Sequence, residues 1–208
     1  MNKLEKLRIL VVETRIRITI AIILSAFLFA IPLDYTVIYG ATNFLVYLDQ
    51  YDLDMRIEYP DNWAYREYSG SSYSSEDYTT VFEPAAEISI SSNLSTTPSD
   101  VYVLIGRNLH LPYKSMPLDL YFDYEKKSKI NQGYNITNTG KTFLTDKTPA
   151  YEMDVSTVNT GHPEKQVIVL MNQGSKSFYF IYSATPEKFN TYLPVAQQMF
   201  MRLSLIGQ

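Results

Sequence analysis

Two runs decide the fold: Gln166-Val-Ile-Val-Leu-Met171 and Ser177-Phe-Tyr-Phe-Ile-Tyr-Ser-Ala184, set on either side of Gln173-Gly174-Ser175. β-Branched and aromatic side chains dominate both, which suits a pleated, packed surface, and the glycine-centred turn between them predicts adjacent antiparallel strands. Immediately downstream the period changes. Thr185 offers a cap, Pro186 suits a first helical position, and Phe189, Tyr192, Ala196, Met199, Phe200 and Leu203 recur at three-and-four spacing, the signature of an amphipathic helix. Pro194 lacks the amide donor for the preceding turn and predicts a kink or a restart there.

Upstream of the hairpin the period of two continues. Ala150 to Thr157 follows Pro149 as a strand, and Tyr134 to Asn138 with Lys141 to Leu144 flank Thr139-Gly140 as an expected hairpin. Before it, Pro117 to about Ile130 reads as a helix with Ser115 as its cap, Asp119 favouring the helix dipole and Leu118, Tyr121 and Phe122 on its buried face. Gln132-Gly133 ends it, glycine accepting a left-handed cap. Val101 to Asn108, Glu87 to Ser92 and Thr80 to Phe82 are further expected strands, with Ser69 to Thr79 a polar loop tip. Met55 to Tyr59 and Trp63 to Tyr68 around Pro60-Asp61-Asn62 read as a hairpin-like opening.

The N-terminus carries a different signal. Ile18 to Leu33 is sixteen residues without a charge, preceded by Lys3, Lys6, Arg8, Arg15 and Arg17. At a rise of roughly 1.5 Å per residue it covers about 24 Å, so a retained anchor reaching Tyr39 and a signal peptide cleaved near Gly40 and Ala41 are both open. The basic flank places residues 1–17 in the cytoplasm, 18–41 as transmembrane anchor or signal peptide, and 42–208 as one extracytoplasmic domain, secreted if the helix is cleaved. Tyr39 is bulky for the usual small-x-small cleavage site, and the basic region is long for a signal peptide, which favours retention.

Charge and composition exclude several function classes. Residues 1–33 carry five basic and two acidic groups, whereas thirteen basic and twenty acidic groups lie beyond. An exported part of charge −7 with scattered basic residues has no electrostatic reason to hold nucleic acid. The absence of cysteine removes disulfides, thiolate metal sites and cysteine nucleophiles together. Asn93-Leu94-Ser95 and Asn135-Ile136-Thr137 are glycosylation triplets that fit an exported surface.

Phe44-Leu-Val-Tyr47, Tyr51 and Arg56-Ile-Glu-Tyr-Pro-Asp-Asn-Trp63, then Thr148-Pro-Ala-Tyr151 and Tyr192-Leu-Pro-Val-Ala-Gln-Gln-Met199, stand in an order that resembles the PsbP-like family. The resemblance spans Phe44 to Leu205 and is closest to secreted or anchored archaeal relatives. It implies an α/β fold, an α/β/α sandwich with a central antiparallel sheet, here preceded by one N-terminal transmembrane or signal helix. The family's namesake docks to photosystem II through a flexible N-terminal extension and helps retain calcium and chloride there. This chain has an apolar span in that place, so no docking residue carries over.

No residue pattern discloses a chemistry. His110 and His162 are far apart in sequence; Asp49, Asp52 and Asp54 lack the glycine and distal glutamate of an EF-hand; Asp119 and Asp123 are balanced by Lys126 and Lys127. No catalytic, cofactor-binding or metal-binding residue is therefore assigned, and no cofactor is expected. Eighteen tyrosines are the compositional excess. Tyr59, Tyr121, Tyr151, Tyr182 and Trp63 fall on expected core positions, whereas Tyr68, Tyr73, Tyr78 and Tyr113 near loop tips are candidate partner-binding residues. The expected function is a non-catalytic accessory domain, held on the membrane by its N-terminal helix and docking to a membrane protein. Two alternatives stay open: a module binding glycans or small ligands through exposed tyrosines, and a hydrolase with a carboxylate pair.

Overall fold

Gln173 pairs with Lys176 across a two-residue turn in which Gly174 has a φ of 61°, and the strands on either side zip together as far as Lys165 opposite Ala184. In this computed structural model the hairpin, β8 (Glu164–Gln173) and β9 (Lys176–Ala184), lies near the middle of a seven-stranded antiparallel sheet. The structure describes residues 43–49, 53–69, 78–88, 99–108, 113, 115–157 and 163–206, all within one compact unit, Thr42–Gln208. The apolar span and the other N-terminal residues lie outside the described residues, as do Tyr73, Asp52, His110, His162 and Asn93. Among the described residues no helix is long and apolar enough to cross a membrane.

The remaining elements are β1 (Phe44–Asp49), β2 (Met55–Pro60), β3 (Trp63–Ser69), β4 (Tyr78–Pro84), β5 (Val101–Asn108), α1 (Leu118–Asn131), β6 (Asn135–Phe143), β7 (Pro149–Thr157), α2 (Pro186–Met201) and β10 (Ser204–Leu205). The large sheet has the order β3-β4-β5-β9-β8-β7-β6, and β1-β2-β10 form a separate sheet. Alternation along the strands gives the large sheet two apolar faces. Met153, Val155, Ile168 and Leu170 pack with Tyr121 and Phe122 of α1. Val103, Ile105, Phe180 and Tyr182 point the other way and are buried on the side of α2, whose Phe189 and Phe200 lie against Tyr182 and Phe180. Trp63 is a core anchor, buried and edge-on to Tyr192 of α2.

The small sheet closes over the β3-β4 end of that second face. The buried Tyr47 hydroxyl donates to Glu67 Oε1 at 3.0 Å and accepts from Thr80 Oγ1 at 2.9 Å, while its ring meets Tyr65 and Phe82 edge-on. Asp54 supplies a second tie. It adopts a φ of 55°, and its carboxylate receives Arg107 of β5 at 2.5 Å and Lys176 of β9 at 2.6 Å. Two acidic positions considered for calcium are thus accounted for: Asp54 is consumed in ion pairs, and Asp119 is exposed in the first turn of α1.

Several expectations are corrected. β2 and β3 do not form a hairpin: Asp61 still donates its amide to Asn43 at the start of β1, whereas the Asn62 carbonyl already accepts from Ala85 beyond β4, so the turn passes the chain between sheets. Thr139-Gly140 does not reverse the chain either. β6 runs unbroken from Asn135 to Phe143 against β7, with one irregularity at Thr137, and the reversal comes at Asp146-Lys147, where Lys147 has a φ of 69°. Cross-strand pairing outweighs a local turn preference there. α1 starts at Leu118 with Pro117 as its cap and no side-chain capping bond, while Ser115 lies further out at a φ of 66°. α2 continues through Pro194; the carbonyl of Asn190 that loses its donor belongs to an exposed residue, so it is not an orphaned buried group. Thr185 caps α2 by position but makes no side-chain capping bond. Glu87 lies in a turn rather than a strand, and β10 had no counterpart in the sequence pattern.

Candidate functional site

α2 covers β9 and its neighbours but leaves the β7 side of the same face uncovered, and a groove of about 300 Å³ runs along that margin. Val167 and Val169 of β8 and Phe180 and Tyr182 of β9 form its floor, and Phe189, Leu193, Ala196 and Phe200 of α2 form one wall. The wall is held by the sheet: the Phe180 and Phe200 rings are 5.5 Å apart, Tyr182 and Phe189 5.1 Å, and the Tyr182 hydroxyl donates to the Phe189 carbonyl at 2.6 Å. Three-and-four spacing in α2 and period two in β8 and β9 converge on this seam.

The opposite margin is polar. Glu152, Asp154 and Ser156 of β7 share the groove-facing parity, paired in register with Val169, Val167 and Lys165. Asp154 Oδ2 accepts from Asn138 Nδ2 at 3.2 Å, and the Asp154 carbonyl accepts from Thr137 Oγ1 at 3.2 Å. Lys165 stands at the far end, its ammonium 5.7 Å from the Phe189 ring. Glu152 is half-buried and, among the described residues, makes no hydrogen bond or ion pair. Burial pushes its carboxyl above the ordinary carboxylate value of 4.5, and the charge on Asp154 pushes the same way. Gly140 of β6 lies directly opposite it, and a Cβ there would meet nothing within 4 Å, so among the described residues no side chain packs against that position.

The two carboxylates would attract a cation, but they are not arranged as a hydrolytic pair. Glu152 and Asp154 sit side by side on one strand, about 7 Å apart along it, rather than facing each other across a cleft as paired carboxylates flanking a scissile bond do. Among the described residues no group of three or more histidine, aspartate or glutamate side chains gathers where a metal could bind.

The three candidate tyrosines among the described residues do not share one surface. Tyr68 and Tyr78 belong to β3 and β4 but point to opposite faces of the sheet: Tyr68 is paired with Thr79, whose hydroxyl meets Tyr179 on the α1 side, while Tyr78 lies beneath Arg107 on the other. Both are half-buried. Tyr113 is half-buried at α1, edge-on to Tyr121 and Tyr124, and burial raises its phenol. Tyr73 lies outside the described residues. The groove itself escaped the sequence reading, although Glu152 and Asp154, an acidic pair alternating with apolar residues, were visible in it.

A second surface lies on β1. Leu45, Val46 and Leu48 are 46%, 54% and 50% exposed, and among the described residues this strand pairs only with β2, leaving its other backbone edge open. Arg202, just past α2, stacks 4.1 Å over the Phe44 ring and pairs with Glu58 at 2.7 Å.

No protein-family model matches the sequence, and no curated protein is significantly similar to it. Among solved structures, the chain is similar to cyanobacterial PsbP (CyanoP) from Synechocystis sp. PCC 6803, at 12% identity and a TM-score of 0.54 over 80% of this chain and 95% of that one. Weaker likenesses are to PA94, a protein of unknown function from Pseudomonas aeruginosa (13%, TM-score 0.46, 80% and 98% covered), and to LpqN of Mycobacterium tuberculosis, involved in cell envelope biogenesis (11%, TM-score 0.45, 79% and 91% covered). CyanoP is cyanobacterial, so this likeness supports the fold without the archaeal affinity. The described residues, mostly antiparallel sheet with two helices, have a PsbP-like fold.

Proposed function

We propose that this chain is a non-catalytic accessory domain, held at the outer face of a membrane by the span from Ile18 to about Tyr39 and docked to a membrane protein through β1. One observation carries the reading: an edge strand with half-exposed apolar side chains at Leu45, Val46 and Leu48 begins only a few residues after that span. Open backbone edges and exposed apolar residues are the features a partner strand or apolar surface pairs with. Retention of the span brings β1 close to the lipid surface, where a membrane protein is the nearest partner. CyanoP offers a precedent for the fold only, and no photosystem role follows from it.

The test is a photo-crosslinking residue placed at Val46 or Leu48 and activated in native membranes. A discrete adduct that disappears when Val46→Asp is added to the Leu48 crosslinker is expected; the absence of any reproducible adduct sinks the docking reading. Mass analysis of the mature N-terminus checks the tether separately, a start near Ala41 or Thr42 making the domain secreted.

A further inference from the structure

The groove under α2 combines an apolar floor with a carboxylate, that of Glu152, which has no partner among the described residues. We propose that it binds a small amphipathic cation, an ammonium group carried on a compact apolar body, with the ammonium on Glu152 and the body between Val169, Leu193 and Phe200. The inference goes beyond docking through β1 and holds whether or not the chain is tethered.

Charge sets the orientation. Glu152 and Asp154 lie at one end of the β7 margin and Lys165 at the other, so an ammonium is attracted to the Glu152 end and repelled from the Phe189 end. Asp154 is partly occupied by Asn138, whereas Glu152 is half-buried without a partner among the described residues, and a cation supplies what its burial lacks. Approach is open on the β6 side, because Gly140 opposite Glu152 presents no side chain. A bare metal ion fits poorly: two carboxylates side by side, one already hydrogen-bonded, provide too few converging oxygens. The apolar body is dictated by the floor and wall, and its size by a volume of about 300 Å³, the lower end of small-molecule sites.

The experiment uses the full chain in phosphatidylcholine nanodiscs and three fluorine-labelled probes of one shape: 4-fluorobenzylamine, 4-fluorobenzyl alcohol and 4-fluorobenzoate. Fluorine NMR line broadening is read against empty nanodiscs. The amine should broaden most, Glu152→Gln should weaken it roughly tenfold, and Gly140→Val, which narrows the open flank without touching the carboxylate, should weaken it severalfold. Thermal melts of both variants confirm that they fold. Equal broadening by amine and alcohol, preferential binding of the benzoate, or no broadening by any probe overturns the proposal, as does an amine that binds Glu152→Gln as well as the parent.

Discussion

Val167 and Ile168 are neighbours in β8 that point to opposite faces of the same sheet, and the two faces are finished in different ways. On the Ile168 side, α1 sits over β7 and β8, and half-buried charge there is met: Lys129 donates to Gln166 at 3.1 Å and lies 4.5 Å from the Tyr134 ring, and Asn108 donates to the Tyr121 hydroxyl at 2.8 Å. Burial lowers the Lys129 ammonium and raises the Glu125 carboxyl, but each has a compensating neighbour, Glu164 for the first and Tyr113 for the second. On the Val167 side, α2 covers only part of the sheet, and Glu152 is burdened by burial with no such neighbour among the described residues. The lesson is that a closed interface settles its charges internally, whereas a groove leaves one to be settled by something else.

The contrast breaks most sharply at the buried neighbour. Ile168→Ala, which empties space between α1 and the sheet, should lower stability by about 2–5 kcal/mol in urea unfolding; a loss as small as that of Val167→Ala would show that α1 does not close its face. Next comes Gly106→Ala, also on the α1 side. A Cβ there would lie 2.1 Å from the Tyr179 hydroxyl oxygen, and that ring reaches over β5 to hydrogen-bond Thr79 at 2.8 Å. Displacing it should cost about 1–3 kcal/mol in the same assay, and Gly106→Ala combined with Tyr179→Ala should cost less than the two separate losses added.

Val167→Ala, half-buried in the groove floor, should lower stability by only about 1 kcal/mol or less. The smallest effect has the opposite sign. Because the folded-state carboxyl of Glu152 is raised above 4.5, the folded protein holds that proton more tightly than the unfolded chain, so its contribution is fully present below pH 4.5 and is lost as pH rises through the folded-state value. Glu152→Gln should therefore melt with the parent at low pH and slightly above it at pH 7, by a fraction of about 1 kcal/mol after solvent screening. A parent that melts above Glu152→Gln at pH 7 would mean that the carboxylate has a partner after all.

Much of the domain was legible because local rules were also global ones. Gly174 between two β-branched and aromatic runs made β8 and β9 neighbours, and the spacing from Phe189 to Leu203 made α2 amphipathic. Tyr59, Tyr121, Tyr182 and Trp63 are buried as their positions implied, and Tyr151 is half-buried against Phe122. Where the sequence pattern misled, a partner strand decided: Thr139-Gly140 has turn chemistry, but Asn138 to Phe143 is templated by six residues of β7 in continuous register from Asp154 to Pro149. Pro60-Asp61-Asn62 likewise turns the chain, yet only the long-range bonds to Asn43 and Ala85 show that it turns between two sheets.

By itself the sequence determined most of the strands, the two described helices and several of the buried aromatic residues, and it shows a basic flank ahead of an apolar span. Only the tertiary structure decided that α2 stops short of β7 and that Gly140 faces Glu152, because these follow from helix placement and strand register across residues far apart in the chain. Period and propensity report what a residue does to its own backbone and which face it takes. Whether a carboxylate on that face finds a partner depends on what the rest of the chain brings to it.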